Sequence, residues 1–204
     1  MGINPKYVNE LTHNYRTSYN IQKLSNLYLE KSGKHTYTLN DENRIQGPKP
    51  QLFVSKEETE YSYDNTCKQI AYSVRMLLKS CKREMKDIYI VASNKEELDK
   101  IYSNLLLIND GIKIHFLKSS NNDNNKLFSE NSIKLGTIES IKGIDCPILL
   151  FLITQNLINN SNSELVQDSI YAVINRAMHL LEVFMPNHSF ESEPVCNLID
   201  LYKK

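Results

Sequence analysis

Residues 168–186 read DSIYAVINRAMHLLEVFMP and join an apolar stripe at helical spacing to a mostly apolar run that Glu182 interrupts. At roughly 100° of turn per residue, Arg176 lies about 120° from the centre of that stripe, at the edge of a packed face. The run at 180–185 predicts a buried strand that Pro186 ends. An ordinary core helix with a surface arginine is the alternative. The predicted helix buries Ile170, Val173, Ile174, Ala177 and Leu181.

Composition bounds the class of protein. The 204 residues, 41% hydrophobic and 24% charged, suffice for one soluble α/β domain. Lys plus Arg equals Asp plus Glu at 24 each, so the net charge neither favours nor excludes nucleic acid. No apolar run is long enough to cross a bilayer, and MGINPKYVNE at the amino terminus is not a secretory signal. The scattered cysteines and histidines lack metal-ligand spacing, so we expect reduced thiols and no metal site. Together with the missing apolar segments, this predicts a cytoplasmic protein without membrane attachment.

The remaining chain alternates between strand and helix signals, with polar loops between them. This alternation predicts a doubly wound, mainly parallel sheet with helices on both faces and functional groups at the carboxyl ends of the strands. We expect one domain at 1–186 and a tail at 187–204 with a short apolar patch. Extended segments are predicted at 11–16, 51–54, 88–92, 112–117, 133–138 and 148–153. Helices are predicted at 17–31, from Asp64 to 82, and from a cap at Ser93 or Asn94 to Gly111, and loops at 32–50, 119–132 and 155–163.

Three segments together carry a family resemblance. LTHNYRTS at 11–18, TIESIKGID at 137–145 and YAVINRA at 171–177 resemble the fourth, fifth and sixth motifs of superfamily 1 DNA helicases of the UvrD/Rep type. Their order and coarse spacing are those of the second RecA-like domain of such motors. The resemblance spans nearly the whole chain and implies a three-layer RecA-like (P-loop NTPase-like) α/β domain.

The resemblance also implies an ATP-facing set of residues. Arg16 and Arg176 would be the catalytic arginines that reach the γ-phosphate across a domain cleft, since a guanidinium is always charged and bidentate. Tyr15 would stack on the adenine, and Asp145 would stand where the family has a glutamate that contacts the ribose. A buried ring beside a surface cation is the alternative for Tyr15 and Arg16. For Asp145 it is a turn aspartate before Cys146.

A second implied set faces nucleic acid. Thr137 and Ser140 would contact phosphates, and Lys142 with Gly143 would form an exposed turn along the strand, Gly143 permitting a positive φ. An ordinary helix cap is the alternative for Ser140. Glu139 stands where the family typically has a histidine, which places an anion near the expected nucleic acid.

The first half of a motor is missing from the sequence. No GxxxxGK[ST] loop and no corresponding acidic strand end for magnesium occur. ATP and Mg²⁺ would therefore be held by an amino-terminal RecA-like domain of the same protein, and the other partner would be single-stranded DNA, with RNA as the alternative. This fragment alone would be inactive.

Two alternatives stay open. A non-catalytic helicase-like module that binds nucleic acid or protein is favoured by a covered or self-paired cluster of Tyr15, Arg16, Asp145 and Arg176. An open cluster favours the motor. A flavodoxin-like enzyme would need a glycine-rich loop after the first strand, where the chain has only NYRTS.

Overall fold

The computed structural model describes residues 16–34, 36, 45–55, 62–109, 111–118, 130–159, 162–186 and 192–203. Helices and strands alternate along much of the described chain, except that β3, β4 and β5 follow one another and α4 is followed directly by α5. The helices are α1 (Tyr19–Lys31), α2 (Ser62–Lys79), α3 (Lys95–Ile108), α4 (Gln155–Asn159), α5 (Ser163–Ile174) and α6 (Glu193–Tyr202). The strands are β1 (Gln51–Val54), β2 (Ile88–Ala92), β3 (Ile114–Phe116), β4 (Ile133–Thr137), β5 (Cys146–Leu152) and β6 (Ala177–Met185).

The six strands form one sheet in the order β1-β6-β5-β2-β4-β3, and every neighbouring pair is parallel. Helices cover both faces, which gives the three-layer α/β architecture expected from the sequence. One face packs against α1, α4, α5 and α6, and the other against α2 and α3. The predicted fold class is confirmed, and the sheet is parallel throughout.

Alternating side chains of the central strands feed the two cores. In β2, Tyr89 and Val91 face the α1/α5/α6 side, whereas Ile88 and Ile90 face the α2/α3 side. Successive strand residues point to opposite faces, so a strand buried on both sides must be apolar at every position. The continuous run IYIVA therefore marks a central strand.

The segment at 187–204, set apart above as a tail, contains α6. Val195 and Leu198 of this helix are fully buried and belong to the same core cluster as α1 and α5. Pro194 lies in the first turn, where its missing N–H leaves no helical hydrogen bond unmade. The described part of this segment thus contributes to the domain core.

The single helix predicted across Arg176 is wrong in one respect. Helix α5 ends at Ile174, and β6 begins at Ala177, so Ala177 and Leu181 are strand residues. Asn175 is the C-cap of the helix, and both its N–H, at 3.1 Å, and its Nδ2, at 2.8 Å, donate to the carbonyl of Tyr171. Short amide side chains compete in this way with the helical ladder. Arg176 consequently lies at a helix-to-strand junction.

Three other boundaries differ from the expected ones. Helix α2 begins at Ser62, whose hydroxyl donates to the carbonyl of Pro186, and Asp64 lies inside its first turn. Helix α3 ends at Ile108 with Asn109 as its cap, before Gly111. Part of the loop expected at 155–163 is the short helix α4.

Candidate functional site

Arg16 and Arg176 lie at the same edge of the sheet. Asp145 directly precedes β5, Arg176 directly precedes β6, and the first residues of these strands are paired in register. Arg16 Nη1 is 3.1 Å from Asp145 Oδ1. The cluster therefore occupies the amino edge of β5 and β6, and the expectation that functional groups collect at the carboxyl ends is wrong for it. Tyr15 lies outside the described residues.

A tight turn explains how the 137–145 segment reaches both edges. Thr137 ends β4 level with the last residue of β2, whereas β5 starts at the opposite edge. The intervening residues cross the sheet on the α5 side and bury Ile138, Ile141 and Ile144. A Cβ at Gly136 would lie 2.7 Å from Ser140 Oγ and 3.1 Å from an Ile141 methyl, so glycine allows the turn to pack directly on β4. Consecutive motif residues are thus divided between two edges of the domain.

The hydroxyls of Thr137 and Ser140 close this turn. Ser140 Oγ donates to the carbonyl of Thr137 at 2.9 Å, and the Ser140 N–H donates to Thr137 Oγ1 at 3.3 Å. Ser140 is only 4% exposed. Its hydroxyl is therefore occupied inside the turn and does not face solvent, and residues 141–145 form no helix that Ser140 could cap.

Lys142 and Gly143 form the exposed part of the turn. Gly143 has φ +83, so the predicted positive φ is confirmed, and a Cβ there would meet nothing within 4 Å. Lys142 Nζ lies 2.6 Å from Glu139 Oε2, with both side chains largely exposed. Lys142 and Arg176 also border a shallow depression with an apolar floor, formed by Ile138, Ile141, Ala172 and Val173.

Main-chain hydrogen bonds fix the two segments that carry the arginines. Arg176 donates to the carbonyl of Val173 at 3.0 Å, and its own carbonyl accepts from the Cys146 N–H at 2.8 Å. After Arg16, the Ser18 N–H donates to the carbonyl of Met178 at 2.7 Å. Both arginines therefore project from backbone anchored on the first residues of β5 and β6.

A strap at residues 45–47 supports the beginning of α1. The N–H groups of Tyr19 and Asn20 donate to the carbonyls of Ile45 and Gln46 at 3.0 and 3.2 Å. Asn20 Nδ2 donates to the carbonyl of Gly47 at 2.8 Å. These bonds satisfy N–H groups that a helix start otherwise leaves unpaired, so the strap holds the helix that follows Arg16 in place.

The cluster is open to solvent. The side chains of Arg16 and Asp145 are 46% and 39% exposed, so water and salt screen their ion pair, although Asp145 Oδ1, the atom that faces Arg16, is itself buried. Cys146 directly beneath is fully buried, and burial, with a further contribution from Asp145, raises the pKa of its thiol. The thiol therefore stays protonated and is not a nucleophile. Charge recognition through the guanidinium groups is the chemistry that this edge offers.

Comparison with solved structures shows that the chain as a whole has a known fold. The C-terminal domain of a possible DNA helicase from Lactobacillus plantarum WCFS1 aligns with 89% of this chain and 92% of its own, at 17% identity and a TM-score of 0.58. This chain has the fold of that domain. The Hef helicase domain from Pyrococcus furiosus aligns with 64% of this chain and 27% of its own, at 15% identity and a TM-score of 0.43, and adds no argument. No protein-family model matches the sequence, and no curated protein is significantly similar to it.

Sequence reasoning missed a buried carboxylate at the opposite edge. Glu97, 2% exposed, accepts from the Ser93 N–H at 2.9 Å and the Ser93 hydroxyl at 2.6 Å. It also accepts from Asn156 Nδ2 at 3.0 Å and from the Thr154 hydroxyl. The Asn94-x-x-Glu97 spacing, typical of a capping box, was the available signal.

Two negative findings concern the described part of the chain. No helix there combines the length and apolarity needed to span a membrane. Nor does any group of three or more His, Cys, Asp or Glu residues within it have the arrangement needed to hold a metal ion.

Proposed function

We propose that the chain is the carboxyl-terminal motor domain of an ATP-dependent superfamily 1 DNA helicase. In the complete protein it would pair with an amino-terminal RecA-like domain that holds ATP and Mg²⁺, and it would grip single-stranded DNA. The observation that carries the proposal is the placement of Arg16 and Arg176 at one open edge of β5 and β6. The two motif residues lie 160 positions apart in sequence (176 minus 16), and their placement at one edge supports a common role.

The geometry suggests a division of roles at this edge. ATP held by the partner domain would present a γ-phosphoryl group whose oxygens gather negative charge during transfer. Arg176, fixed through its main chain, would meet that charge as a rigidly mounted donor. Arg16 would exchange the carboxylate of Asp145 for phosphate oxygens, an exchange that costs little because the ion pair is exposed. Supplying both groups from a separate domain would couple hydrolysis to closure of the cleft.

Nucleic acid would contact the exposed part of the 137–145 turn. Lys142 and Gly143 are exposed there, with Lys142 in a solvent-exposed ion pair with Glu139, whereas the Ser140 hydroxyl is committed to the Thr137 carbonyl. We therefore assign the direct phosphate contact to the Lys142 side chain and to the main-chain N–H of Gly143, since the N–H groups of Lys142 and Ile144 donate within the turn. Thr137 and Ser140 would set the shape of the turn.

The test is the DNA-stimulated ATPase activity of the complete natural protein that carries this domain. Arg176→Ala is expected to lower kcat about 10³-fold or more while nucleotide binding is retained, because the arginine acts on charge that develops in transfer. Arg176→Lys should recover only part of the rate, since an ammonium cannot donate bidentately. Lys23→Ala, an exposed cation on α1, is the matched control and should leave the rate unchanged.

A second candidate function is a non-catalytic module that binds nucleic acid or protein. The observation that favours it is the pairing of Arg16 with Asp145 and of Lys142 with Glu139, which neutralises two motif cations within the chain. A natural protein that ends where this chain does and hydrolyses no ATP would refute the motor and leave this module.

A further inference from the structure

Helix α2 carries a basic stripe on its outer face. At about 100° per residue, the three cations of the stripe fall within about 40° of one another, and the whole stripe within about 100°. All five residues are exposed, Tyr72 by 54% and Met76 by 58%. We call this set the α2 stripe: Lys68, Tyr72, Arg75, Met76 and Lys79.

The positive charge of the stripe is not compensated by neighbouring residues of the described structure. Residues 62–83 contain five cations and a single acid, Asp64, which is paired with Lys100 of α3. None of the five cations has an ion pair with another described residue. Lys82 and Arg83 extend the basic surface into the exposed turn after the helix. The chain as a whole is neutral, so this surface is a local departure from its charge balance.

The neighbouring helix leaves the carboxyl-terminal half of α2 uncovered. Asn109, the cap at the end of α3, donates through Nδ2 to the carbonyl of Ala71 at 3.1 Å, near the midpoint of α2. Arg75 and Lys79 lie beyond that contact, and both are exposed. From Lys68 to Lys79 the stripe extends about 16 Å, at 1.5 Å per residue. That length is sufficient for several consecutive phosphates.

We propose that the α2 stripe binds the phosphate backbone of single-stranded nucleic acid, with Tyr72 stacking on a base. Regularly spaced cations that flank an exposed aromatic ring are the arrangement that binds single strands without reading their sequence. A membrane surface would need a broad exposed apolar face, but the apolar face of α2 is buried in the core. Cations after the helix also complement its dipole, which accounts for Lys79 and Lys82 but not for Lys68 and Tyr72.

This site is separate from the turn assigned above. Helix α2 packs on the α2/α3 face of the sheet, whereas the 138–145 turn packs on the other face. The proposal therefore needs neither ATP nor the arginine pair. Failure of the ATPase test would leave it standing, and its own failure would leave the arginine assignment unaffected.

The test uses the 204-residue chain and a fluorescein-labelled 20-nucleotide oligothymidylate, with anisotropy measured over a range of salt concentrations. The triple variant Lys68→Gln, Arg75→Gln, Lys79→Gln is expected to bind at least tenfold more weakly at low salt. Three lost phosphate contacts should reduce the slope of log K against log salt by about 2, at roughly 0.7 per contact. The matched control Lys23→Gln, Lys49→Gln, Lys95→Gln removes three exposed cations elsewhere and should stay within about twofold of the wild type.

A second variant separates stacking from charge. Tyr72→Ala should weaken binding of the single strand about tenfold and leave binding of the corresponding duplex unchanged, because paired bases offer no free face. Thermal unfolding monitored by circular dichroism confirms that each variant is folded.

Three outcomes would overturn the proposal. The wild type could fail to bind the oligonucleotide, or the two triple variants could lose affinity equally, which would indicate general charge attraction. The stripe variant could also keep its oligonucleotide affinity while losing binding to vesicles with 30% phosphatidylserine, which would indicate an anionic membrane surface.

Discussion

The two edges of the sheet use similar polar groups in opposite ways. At the carboxyl edge, the Glu97 carboxylate is 2% exposed and accepts hydrogen bonds from Ser93, Thr154 and Asn156. At the amino edge, the Asp145 carboxylate is 39% exposed and faces Arg16 at 3.1 Å. The first carboxylate ties two loops together, whereas the second lies where another anion could compete for its partner.

The difference teaches that saturation and burial decide what a charged group can do. A buried carboxylate with several donors stabilises the loops that supply them, and it has no capacity left for a ligand. An exposed carboxylate opposite an arginine contributes little to stability and gives way at low cost. We therefore assign Glu97 to the scaffold and the Arg16–Asp145 pair to function.

The largest expected effect comes from breaking the closed edge. Glu97→Ala should lower the free energy of unfolding by about 3 kcal/mol. The change removes hydrogen bonds to a charged group and leaves their buried donors without an acceptor. Urea denaturation followed by circular dichroism gives the value. Glu96→Ala, its exposed neighbour in the same helical turn, is the matched control and should cost under about 1 kcal/mol. Equal losses in the two variants would contradict the assignment of Glu97 to the scaffold.

An intermediate effect is expected from disturbing the strap that supports the open edge. Gly47 and Gly33 have nearly the same φ, +67 and +69, but a Cβ at Gly47 would lie 2.5 Å from Ser18 Cβ, whereas one at Gly33 meets nothing within 4 Å. Both alanine variants share the cost of a left-handed conformation. Gly47→Ala should lose about 2 kcal/mol more than Gly33→Ala, because Ser18 Cβ cannot rotate away. Equal unfolding free energies for the two variants would show that residues 45–47 can move away from Ser18 at no cost in stability.

Periodicity predicted the scaffold well because burial leaves a direct mark on sequence. The runs at 51–54 and 88–92 match β1 and β2 residue for residue. The helix expected at 17–31 forms as α1 from Tyr19 to Lys31, with Ser18 at the N-cap position but without a side-chain capping hydrogen bond. The junction at Arg176 was missed because Ala177 and Leu181 fit the stripe of a helix as well as a strand. The end of the helix is marked by local polar contacts, among them the Asn175 Nδ2 bond to the Tyr171 carbonyl and the Arg176 N–H bond to the Val173 carbonyl, which hydrophobic spacing does not reveal.

The candidate site was predictable only in part. The motifs identified Arg16, Asp145 and Arg176, but not the edge of the sheet at which they meet. Asp145 reaches the amino edge because the 137–145 segment crosses the sheet, and Gly136 allows this segment to pack on β4. Such a close approach leaves no signal in hydrophobic spacing. The α2 stripe was missed because the prediction followed the buried face of the helix and not its exposed face.

The smallest expected effect tests whether the amino edge is indeed open. Asp145→Asn should change the free energy of unfolding by no more than about 0.5 kcal/mol, because the ion pair that it removes is exposed on both sides. Urea denaturation measures the difference in unfolding free energy between the wild type and the variant. This difference should be small at low salt and no larger at about 1 M salt, since salt screens such pairs. Asp200→Asn, which removes the exposed pairs of Asp200 with Lys31 and Lys203, is the comparison at a site with no proposed ligand. A loss above about 2 kcal/mol for Asp145→Asn would mean that the pair is structural. Arg16 would then be committed within the chain, and the binding module would be the better account of the protein.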